Sequence, residues 1–169
     1  MKDLDIEAEC QLLKSKGMKI MNIIGYGNLN DDEIIKFEKQ IGFTLPLDYR
    51  IFLKNNNGGV PEKKYSTFKL NKLNLDVGLQ VLYGLNLNDN LNLRVWHEEY
   101  KEDMLNDCII IGHGVGFGFV VLINDEENGG VYFWDHSFEL ENTSEEENIY
   151  KISNSFEEFI NSLNYHESD

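Results

Sequence analysis

From position 65 onward the sequence breaks into five short runs, residues 65–70, 75–83, 108–111, 117–124 and 131–134, rich in β-branched and aromatic residues and separated by turn formers. Runs of this length and composition suit a pleated, half-buried surface and are too short for helices, so the chain has to be built on a sheet. Asp125-Glu126-Glu127-Asn128-Gly129-Gly130 lies between the last two runs. Its glycines accept positive φ, which makes it a hairpin connection and predicts antiparallel pairing.

Helical signals flank the strands. Asn30 and Glu33 have the spacing of a capping box, Asp31 and Asp32 favour the positive end of a helix dipole, and Ile34, Phe37 and Ile41 fall on one face before Gly42. Pro46 then opens a second helix carrying Leu47, Ile51 and Phe52, and Asn55-Asn56-Asn57-Gly58-Gly59 supplies residues that accept left-handed dihedrals at its end. Residues 90–104 place Leu93, Trp96 and Tyr100 on one stripe, so a helix interrupts the sheet. Ser155 and Glu158 form another capping box before Phe156, Phe159, Ile160 and Leu163. Residues 3–16 carry Ile6, Cys10 and Leu13 at helical spacing, and residues 18–24 are apolar enough for strand or helix. The expectation is one α+β domain over residues 29–169, with helices packed on a mixed, largely antiparallel sheet of about five to six strands, preceded by a helical extension over residues 1–28.

Charge narrows the function classes. The 169 residues carry a formal net charge of −15. Residues 95–169 contain Lys101 and Lys151 as their only cations against eighteen carboxylates. Phosphate affinity is built from clustered Lys and Arg, so a nucleic-acid ligand is not expected. No stretch approaches ~18 uninterrupted apolar residues, and the first residues carry acids where a signal peptide has basic ones, so no membrane association and a cytoplasmic location are expected. Cys10 and Cys108, far apart and outside any paired motif, offer neither a disulfide framework nor a zinc site.

Several local signatures occur together: the helix over residues 32–41, the run Leu45-Pro46-Leu47-Asp48-Tyr49-Arg50-Ile51-Phe52-Leu53 with Asn57-Gly58-Gly59, Cys108-Ile109-Ile110-Ile111-Gly112 after a helix, the strand after Gly118, Val131-Tyr132-Phe133-Trp134-Asp135-His136, and the last helix. In this order the chain resembles the SUKH superfamily, which includes fungal cell-wall-assembly regulators and many bacterial immunity proteins. The resemblance implies a mixed sheet with packed helices. For many bacterial members it also implies a non-enzymatic role, the binding and neutralising of a secreted toxin, often a nuclease. Fold alone does not fix function.

Residues that invite a chemical reading have structural explanations. Gly112-His113-Gly114-Val115-Gly116-Phe117-Gly118 lacks the third glycine of a dinucleotide motif, and strand rather than helix follows it, so a tight turn or close approach is preferred and no cofactor is expected. His97, His113, His136 and His166 include no pair at helical ligand spacing, although His113, Asp135 and His136 would meet if their strands were neighbours; no metal is expected. Cys108 heads an apolar run in an acidic region, a setting for core rather than for a nucleophile. Trp96, Tyr100, Trp134 and Phe138 are either core anchors or interface residues, and the Leu-Asn pairs at residues 85–92 form a loop into a helix.

The leading expectation is therefore a protein without enzymatic activity that binds a basic protein toxin, a nuclease above all. Its interface would comprise Glu98, Glu99, Glu102, Asp103, Asp125, Glu126, Glu127, Asp135, Glu139, Glu141, Glu145, Glu146 and Glu147, with Trp134 as aromatic anchor. Fields of one sign speed encounter with an oppositely charged partner and disfavour wrong ones. Two other readings stand beside it: a regulatory interaction module of the same fold whose acids serve solubility alone, and a small-ligand or enzymatic domain using His113, Asp135 and His136.

Overall fold

A computed structural model describes residues 22–165; the helix expected over residues 3–16, Cys10 and His166 lie outside the described residues. Helix α1 (Asp31–Ile41) starts where Asn30 accepts a hydrogen bond from the Glu33 N–H at 3.0 Å and stops at Gly42, whose φ of 87° suits a residue without Cβ. Helix α2 (Leu47–Asn56) buries Tyr49, Ile51, Phe52 and Leu53 and ends at Asn57, also left-handed at φ 51°. Arg50 and Glu38 form a nearly buried ion pair at 3.1 Å, and Glu38 also accepts from the Leu45 N–H at 2.9 Å, so the second helix is registered against the first. Burial holds the Glu38 carboxyl above its ordinary range despite that partner.

The strands are β1 (Ile23–Ile24), β2 (Val60–Pro61), β3 (Ser66–Leu70), β4 (Leu75–Leu82), β5 (Cys108–Gly114), β6 (Phe119–Ile123), β7 (Gly130–Trp134), β8 (Ile149–Ser153) and β9 (Asn164–Tyr165). Seven form one sheet in the order β8-β7-β6-β5-β4-β3-β9, and β1 pairs with β2 separately. Every strand pairing is antiparallel, so the sheet is larger and more uniform than the sequence suggested. The extra members are short. In β8, Tyr150 and Ile152 are buried while Ile149 and Lys151 are exposed, a strand alternation confined to five residues beside the acidic run. The sheet curls until β8 approaches β3 and the turn at Asn71–Leu73.

Register assigns the two faces. Ile109, Leu122, Val131, Val120 and Phe133 share the inner face, where Phe68 lies 5.7 Å from Phe133 and 5.8 Å from Phe159, ring centre to ring centre. Phe159 belongs to helix α4 (Phe156–Asn161), capped by Ser155, whose hydroxyl accepts from the Glu158 N–H at 3.1 Å. Phe156 in turn packs on Tyr49 and Phe52 of α2 at 5.0 and 4.8 Å. The opposite face carries Cys108, Ile123, Val121, Tyr132, Phe119, Trp134 and Ile149, and helix α3 (Leu93–Tyr100) covers part of it. Residues 22–27 are tied in, because β1 pairs with β2 and the Asn56 carbonyl accepts from the Tyr26 and Gly27 N–H groups.

Candidate protein-docking face

Helix α3 begins at Asn92, whose side chain accepts from the Arg94 N–H at 3.0 Å, and it lays Trp96 and Tyr100 on the outer face of the sheet. Trp96 stacks on Tyr83 with ring centres 5.1 Å apart and an interplanar angle of 9°, while its indole N–H donates to the Asn90 carbonyl at 3.1 Å. Tyr100 meets Phe119 edge-on at 5.0 Å and Trp134 at 5.9 Å, and His136 stacks on Phe119 at 4.4 Å. The Tyr83 hydroxyl and His113 Nδ1 share a short hydrogen bond. Aromatic pairs in these geometries add to burial, so α3 is fixed chiefly by rings.

Burial in this arrangement shapes the chemistry of its titratable members. His97, His113 and His136 are all held below the ordinary imidazole range by burial, so their neutral forms are favoured; at His136 the carboxylates of Asp135 and Glu139 work in the opposite direction. Asp135 does not belong to an acidic rim. It is 0% exposed, and its two oxygens accept from the Glu139 and Leu140 N–H groups at 2.9 and 2.8 Å. Its carboxylate is spent on folding the loop after β7, which removes it from the set of partner-facing acids and from a metal site with His113 and His136. Among the described residues no group of three or more His, Cys, Asp or Glu is placed to hold a metal ion. Cys108 is buried, and burial pushes its thiol up to about 12, away from nucleophilic use.

The glycine-rich segment is a strand and a turn. Gly112 and Gly114 lie in β5, and a Cβ on Gly112 would meet the Val81 carbonyl at 2.3 Å. Gly118, at φ 71°, packs so closely that a Cβ would sit 2.0 Å from the Phe133 ring. The glycines serve close packing.

The other twelve acids named from sequence, Glu98, Glu99, Glu102, Asp103, Asp125, Glu126, Glu127, Glu139, Glu141, Glu145, Glu146 and Glu147, are all exposed. Among the described residues only two of them meet a cation, Glu98 with Lys101 and Glu147 with Lys72. Asp125 is held below the usual carboxylate range by hydrogen bonds from the Glu127 N–H and the Asn128 amide, so it also shapes its own turn. These acids lie on α3 and the turn at Lys101–Asp103, on the β6–β7 connection, and on the loop before β8. Of the first group, Asp103 lines a groove of about 220 Å³ together with the half-buried Trp134, Met104, Leu105, Val121 and Ile149. The second borders a wider hollow of about 410 Å³ near Asp48 and Lys151. Sequence reasoning missed Met104, Leu105 and Ile149. No periodicity marks them, because what distinguishes them is the place where α3 stops.

No described helix is long and apolar enough to cross a membrane. A protein of Bacillus subtilis (strain 168), the SPbeta prophage-derived uncharacterized protein YokK, is 31% identical over 157 residues, covering 82% of this chain and 77% of that protein. The sequence pattern of the SMI1/KNR4 family (SUKH-1) matches residues 28–162, from the residue before buried Leu29 through α4. Taken with the sheet and helix order above, this match means that the chain belongs to the SMI1/KNR4 family (SUKH-1).

Proposed function

We propose that this chain is a non-enzymatic immunity protein that binds a cationic protein toxin, a nuclease above all, and neutralises it by occlusion. Family membership supports an immunity or regulator-like role in general. The observation that carries the finer reading is the set of twelve exposed carboxylates, ten of them without an ion pair among the described residues, of which Asp103 lines the groove beside the half-buried Trp134. A nuclease grips phosphates with a basic cleft, and an acidic surface with an aromatic centre is the complement of such a cleft. The prophage origin of the relative fits a role in competition between genomes.

The test takes the product of the neighbouring gene as partner, which on this reading should be a basic, nuclease-like protein. Its association rate should fall steeply as salt rises, and charge reversal at Glu145, Glu146 and Glu147 should slow association more than it speeds dissociation. A rate that is flat in salt and unmoved by the reversal points instead to the regulatory module whose acids serve only solubility.

A further inference from the structure

We propose that the groove beside Trp134 is an anchor pocket for one large apolar side chain carried on a basic segment of the partner. This rests on the immunity reading above and names where its energy is concentrated. Helix α3 ends at Tyr100, and the chain then runs through Lys101–Asp103 to β5 without covering the β7–β8 side of the outer face. Leu105 is left 70% exposed and Ile149 39% exposed, on either side of Trp134 and Val121. Water-facing apolar groups gathered around a concavity mark a binding surface.

Size and charge select the occupant. At about 220 Å³ the groove falls below the ~300–1,000 Å³ of pockets that enclose drug-sized ligands, so it suits a side chain. Asp103 lines it, and Glu99, Glu102 and Asp107 flank it in sequence; among the described residues Asp103, Glu99 and Asp107 have no ion pair, and Glu102 lies within the field of Lys101, which is itself paired with Glu98. The nearby cations are engaged: Lys101 pairs with Glu98 at 2.9 Å, and Lys151 lies 5.8 Å from the centre of the Tyr132 ring. A second copy of this chain would set one acidic rim against another, which disfavours self-pairing through the groove. A partner segment with a leucine-like residue between lysines or arginines satisfies both the apolar floor and the charged rim.

The full chain, labelled on its methyl groups and indoles, is titrated in the NMR spectrometer with three synthetic peptides of equal length: lysine-rich with a central leucine, lysine-rich with a central alanine, and neutral with a central leucine. The first should move the Leu105 and Ile149 methyl signals and the Trp134 indole. Replacing its leucine by alanine should weaken binding about tenfold, the effect expected for losing part of a leucine's burial. Leu105→Ser, at an exposed position that leaves the fold intact, should weaken the leucine peptide by a similar factor and leave the alanine peptide unchanged. Lysine-rich peptides that bind equally well and leave those signals still would overturn the pocket while leaving an acidic docking surface in place. Equal binding of the neutral peptide would overturn the basic character of the occupant and count against the cationic-toxin reading. Binding by none of the three, or concentration-dependent self-association that moves the same signals, would also overturn the assignment.

Discussion

Asn57 does two jobs that no aliphatic residue can share. It closes α2 in a left-handed conformation, and its buried amide accepts from the Leu85 N–H at 2.7 Å while donating to the Leu85 carbonyl at 2.9 Å. One side chain thereby ties a helix end to the segment that follows β4. Asn57→Ala would leave both Leu85 groups without their partner and force a Cβ-bearing residue other than Asn into left-handed backbone. The expected loss is about 3 kcal/mol, read as a lower urea midpoint with an unchanged slope. The local signal, three asparagines before two glycines, was legible as a helix stop; the partner 28 residues away was not, because only tertiary contact supplies it. Asp135 teaches the same lesson in reverse. From sequence it looked like one more acid near an aromatic, yet its oxygens point inward to loop N–H groups.

At the scale of elements, legibility followed the strength of local chemistry. Helices α1 and α4 both begin at the polar residues that cap them, because an N-cap satisfies orphan N–H groups whatever the rest of the fold does. Ser155→Ala should therefore cost about 1 kcal/mol in thermal or chemical unfolding, and Ser155→Asp should restore most of it. The longer strands were also readable, since β5, β6 and β7 bury long apolar runs. Strands β1, β2 and β9 have two residues each, too few for any pattern, and exist because neighbours offer them backbone partners. The candidate site was half legible for a related reason. Its acids follow from composition, whereas its apolar groove depends on α3 ending at Tyr100 and leaving Leu105 and Ile149 uncovered.

For the whole molecule, the charge imbalance opposes folding. A net charge of −15 at pH 7 on one domain repels itself, and the repulsion is strongest when ions are scarce. Raising sodium chloride from about 20 mM to about 0.5 M shortens the screening length from roughly 20 Å to roughly 4 Å, so Tm should climb by a few degrees. A Tm that falls instead would mean that ion pairs such as Lys54–Asp31 and Arg50–Glu38 outweigh the repulsion. The same screening that steadies the free protein should slow its capture of a basic partner, so stability and association rate should move in opposite directions along one salt series.

The large sheet has one further property. Its two outermost strands, β8 and β9, are five and two residues long, and curling brings β8 up against β3 and the turn behind it. Little straight backbone is therefore offered as a template for end-on growth into fibrils. Such blunt borders would let the protein accumulate to high concentration without clumping.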